Sequence, residues 1–235
     1  MKLDPNKQTV IFCDFDGTIT LTDNIIAIMK QFQPEGWETI LQKTLDKELT
    51  LQEGVGGMFA LLPASQQKDI VQFTQDYIRI RDGFQELLDY CKQRSYPFLV
   101  TSGGMDFFIY PALRPFHIPT ENIYCNTGDF TGDHIRIDWP HPCDENCAKG
   151  GCGMCKTTII RSYPASQYNR ILIGDSLSDF AGAQVADYVF ARSDLAEECK
   201  KLQLPHSEYE TFFDVINGLE SLREESQSIC SNKSN

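Results

Sequence analysis

Apolar and polar positions change rhythm along the 235 residues. Near the start, "QTVIFCDFDGT" places Val10, Ile11 and Phe12 in one unbroken apolar run that stops at a polar, glycine-containing turn. That is the pattern of a short buried strand. From 22 to 80 the period lengthens to that of helices. Ile25, Met29 and Phe32 share a face behind a Thr22 or Asp23 cap, and Trp37, Ile40, Leu41 and Leu45 repeat the spacing. Thr50 and Glu53 have the spacing of a capping box ahead of Val55, Met58, Phe59 and Leu62, and Ile70, Phe73 and Tyr77 follow Pro63 and Ser65. Four successive helices are predicted.

Beyond this segment strands and helices alternate. A helix from Asp82 carries Phe84, Leu87, Leu88 and Cys91, followed by the strand "PFLVTS", the helical "MDFFIYPALRPF" and the strand "NIYCN". Later come a helix from Thr157, the strand "RILIGDS", the helix "SDFAGAQVA", the strand "YVFA" and a helix from Ser193. Such alternation implies a parallel sheet with right-handed crossovers. The expected fold is therefore α/β: a doubly wound, Rossmann-like parallel-sheet core over 1–20 and 82–220, with a four-helix cap inserted at 21–81. A polar, frayed tail is expected over 221–235. No internal repeat is present.

Charge narrows the partners. With 33 acidic against 21 basic residues the net charge is -12, and no basic stripe stands out, so a nucleic-acid backbone would be repelled. An anionic substrate would need a cation supplied locally. No apolar run approaches the ~18 residues of a membrane span, and "MKLDPNKQTV" has no apolar stretch behind a basic start, so a soluble, cytoplasmic protein is expected. In a reducing compartment the nine cysteines, an odd number, are not expected to form disulfides.

The candidate chemistry lies where strands end, because open parallel sheets carry their reactive loops beyond the carboxyl ends of their strands. The three polar ends "DFDGT", "TSGG" and "GDSLSD" contribute Asp14, Asp16, Asp175 and Asp179 with the hydroxyl of Ser102. Carboxylates gathered at one point repel, and an all-oxygen set suits Mg2+ far better than zinc. Lys156 would add a cationic half. Taken singly, these residues also suit ordinary turns, and "GDSLSD" also suits a helix cap at Ser176 or Ser178.

Together, "DFDGT", the serine of "VTSGG", Lys156 and "GDSLSD" resemble, in order and spacing, the four motifs of the haloacid dehalogenase superfamily of phosphatases. The helical segment is similar to the cap of the superfamily's phosphoserine phosphatase branch. The resemblance spans roughly residues 9 to 192 and implies a Mg2+-dependent hydrolase of a small phosphomonoester. In that pattern Asp14 is the nucleophile that forms an aspartyl phosphate, and Asp16 protonates the leaving oxygen and then deprotonates water. Gly17 lets backbone amides approach the phosphate, and Thr18 fixes the loop. Ser102 and the Gly103 amide hold phosphoryl oxygens, and Lys156 offsets their charge. The resemblance further implies Mg2+ on Asp14, Asp175 and the Asp16 carbonyl, with Asp179 acting through water or behind them.

Further phrases, "DNI", "EGVGGMF", "SGGMDFF", "IYCN" and "IDWPH", resemble a branch of this superfamily that acts on an enol phosphate in methionine salvage. In the phosphoserine branch the third cap helix carries an arginine and a glutamate follows the first motif. Here that helix reads "LQEGVGGMFALL" and Asp23 takes the glutamate position as a substrate-side residue, so a substrate carboxylate would be poorly held. Phosphatases for phosphoserine, phosphoethanolamine, phosphocholine or a cofactor phosphate are the alternatives, and a silent zinc-binding scaffold is the alternative of another class. Gly54, Gly56 and Gly57 in one helix each cost about 1 kcal/mol relative to alanine, which suggests close approach of a ligand or a neighbouring helix. Met58 and Phe59 would either meet an apolar methylthio tail or pack within the cap. Finally, Cys143, Cys147, Cys152 and Cys155 have the spacing of a structural tetrahedral zinc site, against reduced thiols on a glycine-rich loop.

Overall fold

The first apolar run folds as strand β1 (Gln8–Cys13), buried from Thr9 onward. The computed structural model describes residues 3–148 and 150–232, with side chains through 225. After β1 the chain makes a tight turn over Phe15–Ile19, kinked at Asp16 and at Gly17, whose φ is +78°. The helical segment follows as α1 (Asn24–Phe32), α2 (Trp37–Leu45), α3 (Leu51–Phe59) and α4 (Gln67–Tyr77). Asp23 caps α1 by accepting from the Ile26 N–H, and the Thr50–Glu53 capping box closes α3 in both directions.

The remainder alternates: α5 (Phe84–Gln93), β2 (Phe98–Met105), α6 (Asp106–Leu113), β3 (Ile123–Asp129), β4 (Arg136–Asp138), α7 (Lys156–Arg161), β5 (Tyr168–Gly174), α8 (Phe180–Ala183), β6 (Tyr188–Ala191), α9 (Ser193–Lys201), β7 (His206–Glu208) and α10 (Phe212–Asn232). The sheet runs β4-β3-β2-β1-β5-β6-β7 and is parallel except for β4. Both faces are covered. Val10 and Phe12 join Leu99, Leu172, Val189, Ile160 and Leu195 on one side, while Ile11 and Cys13 join Val100, Ile171, Phe190, Phe84 and Phe212 on the other. Burial on both faces explains why the strands read as continuous apolar runs instead of alternating ones. The chain winds outward from β1 in one direction and from β5 in the other, so the crevice beyond their carboxyl ends is the switch point of the sheet.

Three features differ from the sequence expectation. The three-residue edge strands β4 and β7 were not foreseen, since so short a span carries no period. The helix expected over "SDFAGAQVA" is regular only at Phe180–Ala183. In place of a frayed tail from 221, α10 continues through Asn232, because Phe212, Val215, Leu219 and Leu222 recur on one face and are buried in the core. Residues 233–235 of the expected tail lie outside the described residues. No helix of the described residues is long and apolar enough to cross a membrane.

The three glycines of α3 have separate roles. A Cβ on Gly54 would lie 2.8 Å from Thr44 Cγ2 of α2, so the two helices touch there through the missing side chain. Gly57 faces Ile40 at an ordinary 3.5 Å, and Gly56 faces Trp139 at 3.4 Å. Gly54→Ala should therefore lower stability by about 1–3 kcal/mol through overpacking, despite its better helix propensity. Gly56→Ala should be neutral or stabilising by up to about 1 kcal/mol. Urea denaturation of the two variants measures both, and equal shifts of the same sign would contradict this packing.

Candidate active site

The site begins with the way β1 ends. The Asp14 N–H still donates to the Ile173 carbonyl of β5 at 2.9 Å, so the strand geometry carries the Asp14 side chain to the end of the sheet. There Asp14 meets Lys156, the first residue of α7. The Lys156 ammonium donates to Asp14 Oδ1 at 2.6 Å and also to Asp179 Oδ1. All three are at most 5% exposed. Asp179 Oδ2 accepts from the Asp175 and Ser176 N–H groups at 3.1 and 3.2 Å, so both Asp179 oxygens are engaged and the turn after β5 is fixed by this buried carboxylate. The Ser176 and Ser178 hydroxyls bond each other at 2.9 Å, and α8 has no side-chain cap.

Asp16 points the other way along the turn. Its Oδ1 accepts from the Asn24 backbone N–H at 2.9 Å and from Asn24 Nδ2 at 2.6 Å. Burial, and then the nearby Asp23 charge, push its carboxyl up to about 7, with the two Asn24 hydrogen bonds opposing. A carboxyl group titrating near neutrality can give and take a proton. Asp175 accepts from the Thr18 hydroxyl at 3.0 Å and is pushed up to about 6, first by burial and then by Asp179. Asp14 is raised as well, by burial first and then by Asp179, with the Lys156 charge opposing. Burial works against the charged form of Lys156, but the Asp14 and Asp179 charges and hydrogen bonds outweigh it and raise its pKa.

Gly17 serves the turn and a close approach. Its N–H donates to the Thr22 carbonyl at 3.2 Å, and a Cβ there would stand 2.9 Å from the Asp175 carboxyl carbon. Gly17 also lines the cavity, so the position combines a positive φ with a close approach that no side chain would allow. Ser102 is fully buried, and its Oγ accepts from the Gly104 N–H at 3.0 Å. The cavity wall at this strand is formed by Gly103 and Gly104.

That cavity, about 530 Å³, lies between the helical segment and the core. Asp14, Asp16, Asp23, Asp175 and Lys156 line its polar end, with Arg192 at the rim, while Ile25, Leu41, Leu45, Val55, Met58 and Trp139 supply an apolar wall. Phe59 is not part of that wall: it is fully buried edge-on against Phe107, 5.9 Å between centroids.

Several residues were not legible in the sequence. Asn24 holds Asp16, and Arg81, 6% exposed, donates to the carbonyls of Thr18 at 2.8 Å and Gly17 at 2.7 Å. Gly104 leaves room for Asp16, whose Oδ2 would be 2.7 Å from an added Cβ. Asn126 Nδ2 donates to the Gly103 carbonyl at 2.8 Å. Gly104 lies within "TSGG", and Asn24 and Asn126 lie within the phrases "DNI" and "IYCN", but none of them carried a role in the sequence reading, and Arg81 gave no signal.

Two groups of side chains are suited to cations, and they differ in kind. Carboxylate oxygens of Asp14, Asp175 and Asp179 lie within 4.8 Å of one another, as do the sulfurs of Cys143, Cys147, Cys152 and Cys155. The first set is hard and largely enclosed, and burial, then the neighbouring Asp179 charge, raises the Asp14 and Asp175 carboxyls; a divalent cation would offset that crowded charge, which fits Mg2+. The second is soft. Its Cys147 and Cys152 sulfurs are 3.7 Å apart, close to the ~3.8 Å edge of a tetrahedron with zinc–sulfur bonds of about 2.3 Å.

Residues 11–184 match the family model described as haloacid dehalogenase-like hydrolase. Among curated proteins, the chain is 51% identical over 220 residues to the 2-hydroxy-3-keto-5-methylthiopentenyl-1-phosphate phosphatase of Brevibacillus brevis, covering 94% of this chain and 99% of that one. It is 49% identical over 216 residues to the protein of the same name from Geobacillus kaustophilus, covering 92% and 97%. Among solved structures, a phospho-aspartyl intermediate analogue of phosphoserine phosphatase superposes with a TM-score of 0.66 at 17% identity, covering 90% of this chain and 98% of that one. Phosphoserine phosphatase from T. onnurineus superposes with 0.67 at 13% identity, covering 92% and 96%. These structural likenesses concern the fold.

Protons and a divalent cation compete for the same Asp175 oxygens. The Mg2+ affinity of the metal-free protein should therefore fall as pH drops through about 6, approaching tenfold per pH unit once Asp175 is mostly protonated. Calorimetric titration with Mg2+ across that range measures this, and an affinity unchanged below that pH would contradict Asp175 as a ligand.

Proposed function

We propose that this chain, which belongs to the haloacid dehalogenase-like hydrolases, removes the phosphate of 2-hydroxy-3-keto-5-methylthiopentenyl-1-phosphate and releases 1,2-dihydroxy-3-keto-5-methylthiopentene in methionine salvage. The observation that carries this reading is the two-ended cavity. A phosphate at the carboxylate–lysine end leaves the substrate's methylthio tail facing Leu41, Val55, Met58 and Trp139. The names borne by relatives that match nearly the whole chain support the same substrate. Residues 21–81 serve as the cap over a core of 1–20 and 82–220, and the reducing cytoplasm is the compartment that suits the enzyme.

In this reading an Asp14 carboxylate oxygen attacks phosphorus in line with the ester oxygen. The phosphorus–ester bond breaks as Asp16 gives its proton to the departing enol oxygen. Asn24 holds Asp16 in place by its two hydrogen bonds. In the second half Asp16 takes a proton from water, the water oxygen bonds to phosphorus, and the bond to Asp14 breaks, freeing inorganic phosphate. Lys156, fixed by Asp179, faces the charge that builds on the phosphoryl oxygens. The Gly103 N–H at the cavity wall completes the phosphoryl contacts, and the Ser102 hydroxyl, buried behind that wall, accepts from the Gly104 N–H and keeps its own proton to donate toward the same turn. Asp14, Asp175 and the Asp16 carbonyl would hold Mg2+, which when bound offsets the negative charge shared by the carboxylates and the phosphoryl group. Thr18 orients Asp175, and Asp23 sits at the substrate side as the cap of α1. The same reading gives Cys143, Cys147, Cys152 and Cys155 a structural zinc.

Asp14→Asn should abolish steady-state turnover while leaving the unfolding transition in place, since the amide has the shape of the carboxylate but cannot form the acyl phosphate. Residual wild-type activity in a preparation shown by mass spectrometry to be free of deamidation would reject Asp14 as nucleophile.

On a panel with Mg2+, the enol phosphate should exceed phosphoserine, phosphoethanolamine and phosphocholine in kcat/KM by on the order of a hundredfold, or about 2.7 kcal/mol. EDTA should remove the activity, and Mg2+ should restore it. A preference for phosphoserine would replace the substrate while keeping the phosphatase.

A further inference from the structure

The cysteine segment touches more than itself. Gln52 is the second residue of α3, where a backbone N–H has no acceptor within its own helix. It donates instead to the Gly151 carbonyl at 2.9 Å. Gly151 has φ +58°, and a Cβ there would lie 2.6 Å from the Thr50 side chain, so the loop is seated against the start of the cap helix. Gly153, with φ +74°, is seated in the same way on the Trp139 ring, at 2.7 Å for an added Cβ. Trp139 in turn faces Gly56 on α3.

The other end of the segment is tied to α7. The Cys155 N–H donates to the His141 carbonyl at 3.0 Å, the Asp144 N–H to the Thr158 hydroxyl at 3.1 Å, and Arg161 Nε to Asp144 at 3.1 Å. Cys155 is the residue before α7, and Lys156 opens that helix. Between these two anchors, Gly150, Gly151 and Gly153 all adopt positive φ. Holding so many glycines in one conformation is entropically unfavourable, and the segment has no regular structure to do it. Four sulfurs gathered within 4.8 Å are the element that can, through one shared ion.

We propose that Cys143, Cys147, Cys152 and Cys155 bind one zinc ion as a clasp that fixes cap helix α3 to the core and to the start of α7. The proposal rests on the structural-zinc reading above and adds its mechanical role. Zinc loading then sets, through one loop, both the position of the apolar wall and that of the Lys156 ammonium. The thiols are positioning residues and do not touch substrate.

The experiment uses the full chain purified without chelators. Elemental analysis should find about one zinc per chain. Zinc is then removed with o-phenanthroline in the presence of Mg2+, with Cys147→Ser as the zinc-free form should the closed site resist, and amide exchange is followed by NMR. Exchange at Gln52 should accelerate more than about tenfold while Ile171, inside β5, keeps its protection, and zinc should reverse the change in the wild type. In Cys147→Ser, kcat should fall about tenfold with the apparent Mg2+ affinity within twofold. Protein without zinc, or Gln52 exchange that ignores zinc removal, would overturn the clasp. Loss of protection at Ile171 as well would make the ion a requirement of the whole fold and overturn a local clasp too. Zinc content and exchange involve no substrate, so a wrong substrate assignment would leave them unmoved and show only in the panel of phosphate esters.

Discussion

A lysine ammonium buried between two carboxylates is the constraint on which this active site depends. Removing such a group from water costs several kcal/mol, and only partners at hydrogen-bond distance make it tolerable. Lys156 has two, Asp14 from the end of β1 and Asp179 from the turn after β5. Asp179 gives its other oxygen to the Asp175 and Ser176 amides, so one ion network fixes three chain segments, with Asp14 lying 142 residues before Lys156 and Asp179 lying 23 after it. Loss of either carboxylate would still leave the ammonium paired with the other, whereas loss of Lys156 would leave two buried carboxylates without their cation, with a cost of about 3–5 kcal/mol in comparable buried pairs. Lys156 is thus tied to stability, and the crevice at the switch point of the sheet is held by charge where backbone pairing ends.

What was legible in the sequence follows from how local each signal is. Strand ends announce themselves by a change from Val-Ile-Phe to Asp and Gly within a few residues, so Asp14, Asp16, Asp175 and Asp179 could be placed before any coordinates. The capping box at Thr50 and Glu53 is equally local and is present as written. Arg81 was invisible because its partners are carbonyls 61 to 129 residues away along the chain, and any backbone offers carbonyls. Asn24 and Gly104 were missed for a related reason, since each is defined by its contact with the Asp16 carboxylate. The end of α10 was missed because the polar composition of its last turns hid the buried stripe from Phe212 to Leu222.

Two sets of donors of opposite character meet the start of α7, the thiols through Cys155 and the carboxylates through Lys156. Oxygens of Asp14 and Asp175 suit a hard ion that must exchange its surroundings as substrate arrives, whereas four thiols suit a soft one that stays closed. Their segregation limits miscoordination: neither set contains the donors the other ion prefers. The arrangement also divides labour between composition and spacing, because only one peptide bond separates Cys155 from Lys156.

The neck of the helical segment extends the same logic to the cap. Its entry and exit segments are stitched together by the Thr20–Ile80 bridge, with the Arg81 N–H on the Ile19 carbonyl at 2.8 Å and the Leu21 N–H on the Arg79 carbonyl at 3.0 Å. Arg81, at the exit, reaches back to the carbonyls of Gly17, Thr18 and Thr20, and forward to that of Glu210 before α10. The segment that lines the apolar wall is therefore joined to the core through the turn that carries Asp16. A guanidinium suits this junction because it offers five donors in a rigid plane and stays charged when buried, so it can serve several carbonyls at once where an ammonium would serve fewer. The apolar wall and the turn that carries Asp16 consequently share one backbone support, and the cysteine loop holds the helical segment at a second point, where the Gln52 N–H donates to the Gly151 carbonyl at 2.9 Å.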